Sequence, residues 1–235
     1  MSQIFISGEK INLCVPNEDD FEVWASWFNS METTKHLEQG KFPHTVQQQK
    51  EFYYNAIQNN RFLAHIKDKQ GKLLGVISLS DINYEKSSCQ VAIVCPVKSN
   101  IAKYAALEAR ALVTQHAFDR FGLHRVWAGQ SYPSLNGWSQ YLEIIGYKTE
   151  GIIRKGFVHG STVTPTNLLS ITSEDYNELL KRRQGCLWPG EEKASFLLKK
   201  IKQYDPLVDQ VFNSLQDLYD NHSKIMYEIE SSYDK

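Results

Sequence analysis

The sequence predicts an α+β fold: a mixed, mostly antiparallel sheet flanked by helices, with a helical extension at its C-terminal end. Three observations predict it. Short apolar runs and amphipathic runs follow one another as strand, helix, helix, three antiparallel strands, helix, strand, helix, two strands. The stretch from Ser88 to Thr149 reads strand, helix, strand, helix, strand, with a cap or breaker at each junction. Beyond residue 180 only helical periodicity remains, so residues 1–180 are expected to form the main domain and residues 181–235 the helical extension.

Lys10 to Val15 alternates and reads as a first strand. Asn17 caps a helix from about Glu18 to Asn29, with Phe21, Trp24 and Trp27 on one side. Met31 to His44 is a loop or short helix. Thr45 with Gln48 forms a capping box for a helix to about Ile57, with Phe52, Ala56 and Ile57 expected inward. Arg61 to Lys67 is a strand, Lys67 to Gly71 a turn, and Leu73 to Leu79 the hairpin partner. Cys89 to Cys95 is β-branched and stopped by Pro96. Ser99 and Asn100 are placed to cap the helix Ala102 to Phe121, whose apolar side carries Leu107, Ala111, Phe118 and Phe121. Gly122 stops it, and His124 to Ala128 is the next strand. Ser134 to Ile145 is a helix closed by Gly146, and strands follow at about 147–155 and 163–172. From the end of the main domain onward, Ser173–Arg183, Glu191–Tyr204 and Pro206 to about Ser232 read as helices. In the last, Val208, Val211, Leu215, Leu218, His222, Ile225 and Ile229 recur at alternating spacings of three and four, a heptad-like seam.

Composition narrows the partners. The chain of 235 residues is 42% hydrophobic and 23% charged, ordinary for a globular protein. A net charge of −1 gives no basis for a nucleic-acid or acidic-membrane partner. No apolar run approaches the ~20 residues of a membrane span. The N-terminal MSQIFISGEK lacks a basic region followed by an apolar core, so no secretory signal is expected. Cys14, Cys89, Cys95 and Cys186 show no metal-ligand spacing and read as free thiols in a reducing cytoplasm, so no metal is expected.

Three segments carry a resemblance: FDRFGLHRVWAG, YLEIIGYKTEGIIRKGFVHG and NLLSITSEDY. They resemble the GNAT superfamily of acyl-CoA N-acyltransferases, and within it the branch that modifies ribosomal-protein N-termini and nucleotide-linked amino sugars. The similarity spans roughly residues 8 to 180. It implies acetyl-CoA or another acyl-CoA as acyl donor, a primary amine as acceptor and direct transfer between them. It also implies a pyrophosphate site on the loop and helix start at Ser99, Asn100, Ile101, Ala102, Lys103 and Tyr104, where backbone N–H groups and the helix dipole favour negative charge.

The resemblance further implies a strand N–H near Ala92 to Val94 that polarises the acyl carbonyl, with Ile93 and Val94 at the cofactor, a donor-binding asparagine for which Asn136 is the candidate, and a tyrosine acid for which Tyr141 is the candidate. The matches are imperfect. Tyr104 stands where the family has glycine, and Leu135 and Leu142 align with the family's asparagine and tyrosine, one residue before Asn136 and one after Tyr141. Gln90 stands where an acidic residue is common. These departures support an alternative, a GNAT-fold binding or assembly protein without catalysis. His36, Glu38 and His44 fall in the segment that borders the acceptor in the family, where any of them can receive the amine proton through water. The seam of the last helix packs on its own domain or forms a homodimer contact.

Overall fold

The computed structural model describes residues 3–96 and 100–233. One eight-stranded sheet runs β1 (Ile4–Ser7), β2 (Ile11–Cys14), β3 (Phe62–Asp68), β4 (Leu73–Asn83), β5 (Ser88–Val94), β6 (Arg125–Ser131), β8 (Thr162–Thr172), β7 (Lys148–His159) in spatial order. Every neighbouring pair is antiparallel except β5 and β6, which are parallel. A parallel pair needs a long crossover, here α4 (Asn100–Asp119), which packs its buried face on the sheet. Leu107, Ala111 and Phe118 are buried as their spacing predicts. Gly122 and Gly146 adopt φ of +63° and +91°, the left-handed region that ends a helix without a Cβ penalty.

On the other side of the N-terminal half lie α1 (Phe21–Phe28), α2 (Met31–Thr34) and α3 (Val46–Gln58). The capping box of Thr45 and Gln48 is present. Ala56 is buried, but Phe52 and Ile57 are not. The face of α3 that meets the sheet is narrower than its apolar stripe, and Phe52 instead lies under the guanidinium of Arg61. The helix expected from Glu18 divides into a 3-10 turn, Glu18–Asp20, and α1. Strand β1 has no separate counterpart in the sequence reading. It is a four-residue edge whose side chains are largely exposed, so little hydrophobic patterning marks it.

The chain continues through α5 (Asn136–Glu143), α6 (Ser173–Arg182), α7 (Glu191–Ile201) and α8 (Leu207–Tyr233). Leu187, Trp188, Ala194 and Leu198 join the same apolar core as the sheet. The Trp188 indole N–H and the Glu191 backbone N–H both donate to the Glu9 carboxylate, at 2.8 and 3.0 Å. The first half of α8 packs back on the domain: Val208 is buried, and Phe212 lies 4.7 Å from the Tyr132 ring. Beyond Tyr219 the helix turns Ile225, Met226, Ile229 and Tyr233 to solvent. No helix among the described residues is long and apolar enough to cross a membrane.

A buried polar cluster joins the N-terminal helices to the sheet. His65 is fully buried, with Nδ1 3.2 Å from Asp20 Oδ2, and Lys67 Nζ lies 2.5 Å from the same oxygen. Burial pulls the imidazole down from 6.5 to about 4, overriding the attraction of Asp20. The folded state therefore favours neutral His65, a contribution complete above pH 6.5 and lost as pH falls toward 4. Denaturant melts from pH 7 to pH 4.5 should show a loss on the order of 2–3 kcal/mol from this group. A His65→Leu variant should show a flatter profile over the same interval, and an equally steep one would assign the loss elsewhere.

Candidate functional site

The sheet opens where β5 and β6 part. Their described pairing runs through Ser88–Arg125, Cys89–Val126 and Gln90–Trp127, and no pair follows. From there β5 stays with β4 as far as Val76–Val94, while β6 stays with β8 as far as Ser131–Thr166. A cleft of about 420 Å³ fills the fork. Its walls include Val91 to Val94 on one strand, Cys95 just beyond its end, and Ala128 to Gln130 on the other strand. Along an extended strand successive residues aim their N–H and C=O at opposite edges. Every second residue of Val91–Val94 therefore aims its backbone groups at the cleft, where no strand partner meets them. Such an edge fits an extended, amide-bearing arm.

Two side-chain arrangements meet at the floor of the fork. Arg110 comes from α4 and is 1% exposed. Its Nη1 donates to the Val91 carbonyl at 3.4 Å, and its Nε donates to Tyr147 Oη at 3.2 Å. The guanidinium lies 4.7 Å from the Tyr147 ring centre. No carboxylate lies within ion-pair distance among the described residues, and Nη2 has no partner. From the opposite strand comes Gln130, whose Oε1 accepts from Ser139 Oγ at 2.6 Å, while Asn167 Nδ2 donates to the same hydroxyl at 3.1 Å. This chain fixes the Gln130 side chain at the cleft wall.

A second cavity, about 210 Å³, lies toward α1 and α3. It adjoins the cleft, because Leu37, Ala92, Ile93 and Val94 line both. Trp24, Phe28 and Phe52 supply aromatic walls, and Arg61, His44 and Gln49 supply polar groups. The loop between the cavities is held at Leu37, whose carbonyl lies 2.9 Å from His159 Nδ1. His36 lines the cleft, and burial, aided by Lys35, keeps its imidazole below its ordinary value and so neutral near pH 7. His44 is fixed on both sides: its N–H donates to Asn29 Oδ1, its carbonyl accepts from Asn29 Nδ2, and its Nε2 lies 3.1 Å from Gln49 Oε1. Glu38 lines neither cavity.

The structure brings only part of the expected set together. Ile93 and Val94 are on the cleft wall. Ser99 lies outside the described residues, and so do the side chains of Asn100, Ile101, Ala102 and Lys103. Tyr104 is half-buried against the main core and does not line the cleft, where α4 contributes Ala106 and Arg110 instead. Asn136 donates to Asp209 Oδ1 of α8 at 2.6 Å. Tyr141 stands edge-on to Trp138, with Lys202 Nζ 5.6 Å from its ring centre. Neither Asn136 nor Tyr141 lines the cleft; Leu135 and Trp138 do. A step of one residue turns a helical side chain by about 100°, enough to carry Asn136 and Tyr141 to the side held by α7 and α8. The sequence reading missed Arg110, Gln130 and Trp138. Arg110 had a legible signal, a charge three residues from Leu107 on the apolar side of its helix.

Two of the thiols, Cys89 and Cys14, are buried in ways that disfavour the thiolate. Burial pushes Cys89 up to about 12 and raises Cys14. Among the described residues no group of three or more His, Cys, Asp or Glu is placed to hold a metal.

The structure is similar to the spermidine N-acetyltransferase of Vibrio cholerae in complex with CoA and spermine, with a TM-score of 0.63, 17% identity, and 72% of this chain and 99% of that one covered. It is also similar to Mycobacterium smegmatis RimJ in complex with CoA-disulfide, with a TM-score of 0.62, 15% identity, and 73% and 88% covered. No curated protein sequence matches the chain. Residues 10–131, more than half of the chain, match the acetyltransferase (GNAT) domain family. With the forked sheet, its free strand edge and the crossover helix in place, the chain belongs to the GNAT family of acetyl-CoA-dependent acetyltransferases.

Proposed function

We propose that this protein moves an acetyl or other acyl group from acyl-CoA directly to a primary amine on a small molecule or peptide. The observation that supports it is the free edge of β5 at Ala92–Val94, reached from the cleft on one side and from the aromatic cavity on the other. Bound acyl-CoA supplies the activated thioester. The cleft would hold it along Ile93 and Val94, with its phosphates toward the loop and helix start at Ser99–Lys103. The amine enters from the second cavity, and neutral His36 or the fixed His44 takes its proton through water. A β5 N–H polarises the acyl carbonyl as the C–N bond forms and the C–S bond breaks. Arg110 and Gln130, which line the cleft, would offer donors to the departing sulfur, and the sulfur takes its proton from water. Tyr141, Tyr104 and Asn136 have no role in this reading, because their side chains turn away from the cleft.

Spermidine acetylation by a neighbour of similar fold makes a small amine a reasonable acceptor class. Four free thiols suit the cytoplasm, where they stay reduced. The exposed seam of α8, Ile225 and Ile229 above all, would form a homodimer contact.

Three measurements check these statements. Calorimetric titration should show acetyl-CoA binding, and Lys103→Glu should weaken it at least about tenfold, roughly 1.4 kcal/mol. An unchanged dissociation constant would put the phosphates elsewhere. Tyr104→Gly should cost on the order of 3 kcal/mol of stability without tightening acetyl-CoA binding, because the ring packs on the core. Sedimentation equilibrium should give a dimer that Ile225→Asp with Ile229→Asp converts to monomer without loss of fold; a wild-type monomer refutes the dimer.

A further inference from the structure

The chemistry of the second cavity narrows the acceptor. We infer that the acceptor is an amine with an apolar, aromatic-sized body and a carboxylate, of the kind found in aromatic amino acids, and not a polyamine. The inference rests on the acyl-transfer reading above.

Charge is the first observation. A polyamine carries several ammonium groups, and each needs anionic or acceptor oxygens once it leaves water. The described residues lining this cavity include no aspartate or glutamate; their ionisable groups are Arg61 and His44. Nearby carboxylates are placed otherwise. Asp20 is occupied by Lys67 and His65, Asp81 acts on Arg61 from outside the cavity, Glu38 is exposed, and Glu32 lines the adjoining cleft, where Lys35 Nζ lies 3.7 Å from its carboxylate. One aromatic face, that of Phe52, is already taken by the Arg61 guanidinium, which lies 5.3 Å from its ring centre.

The second observation is an excess of donors. Arg61 spends one Nη2 hydrogen bond on Ser78 Oγ at 2.9 Å, while its Nε has no partner. Gln49 Nε2 and Trp24 Nε1, from two more residues of the same wall, also have none. Gln49 and Trp24 are each 1% exposed. Three buried N–H donors without acceptors are costly, and a ligand that brings acceptor oxygens relieves that cost. A carboxylate also matches the planar fork of a guanidinium.

Position is the third. Ser78, which anchors Arg61, pairs directly with Ala92, and Ala92 is the exposed residue at the β5 edge shared with the cleft. One strand spacing, about 5 Å, thus separates the guanidinium's anchor from the edge where the amine must attack. Amine and carboxylate on one carbon, or on neighbouring ones, fit that separation, and the apolar body then lies among Trp24, Phe28, Leu63 and Val76. The reaction forms the amide N–C bond, breaks the thioester C–S bond and returns free CoA thiol.

The test compares phenylalanine, phenethylamine and spermidine as ligands of the CoA-loaded protein by calorimetry and as acceptors by thiol release with acetyl-CoA. Phenylalanine should bind and react at least tenfold better than phenethylamine, which lacks only the carboxylate, and better than spermidine. Arg61→Gln should erase the preference for phenylalanine over phenethylamine while leaving the acetyl-CoA dissociation constant unchanged. Spermidine as the best ligand, or equal use of phenylalanine and phenethylamine by the unaltered protein, overturns the inference without any variant. Failure of acetyl-CoA to bind overturns the acyl-transfer reading instead, while the amine titrations of the unloaded protein still decide whether the cavity prefers a carboxylate.

Discussion

The parting of two parallel strands governs this molecule. Gln90 and Trp127 are the last described partners across β5 and β6, and beyond them each strand follows its other neighbour. A sheet that splits this way leaves backbone N–H and C=O groups without strand partners, an expensive condition in an interior. The fold meets part of that demand with Arg110, which reaches from the crossover helix to the Val91 carbonyl. The remaining free groups of the edge are what an extended ligand can pair with. The same geometry costs sheet hydrogen bonds and creates a place to bind.

The cation at the floor of the fork is held without a described carboxylate partner. Stacking on Tyr147, the Nε bond to its hydroxyl and the bond to Val91 support it, and Tyr147 is itself fixed by Thr114 at 2.7 Å. A buried guanidinium supported by dipoles and a ring face is a source of positive potential that water does not screen. In the proposed transfer, that potential would favour the negative charge that develops on sulfur. Burial pushes the thiol of nearby Cys89 up to about 12, so it stays protonated.

The C-terminal extension does more than add length. Asp209 of α8 accepts from Tyr132 Oη at 2.9 Å and from Asn136 Nδ2 at 2.6 Å, and Gln140 Nε2 donates to the carbonyls of Ile201 and Tyr204, each at 2.9 Å. These bonds brace α5 from the side away from the cleft. They also use up Asn136 and hold Tyr141 under Lys202, so Leu135 and Trp138 face inward in their place. Residues outside the matched family region thereby set which side chains of α5 meet the cleft.

Much of the fold was legible because it is local. The β-branched run ended by Pro96, the Thr45–Gln48 capping box and the breaks at Gly122 and Gly146 each follow from residues a few positions apart, and each stands where the pattern places it. The parallel order of the strands on either side of α4 follows from the crossover they share. Exposed edge β1 and the outward turn of Phe52 and Ile57 were not legible, because burial of those faces depends on what lies opposite. The site was legible along one strand, at Ile93 and Val94, and in the segment that carries His36 and His44. Its remaining groups come from far apart in the chain: Arg110 from the crossover helix, Trp24 from the first helix, Arg61 from a strand start, and the rotation of α5 from α7 and α8. Spacing along a chain fixes which face of an element is apolar. Which side chain meets a cavity is fixed by long-range packing, and only the tertiary structure decided that.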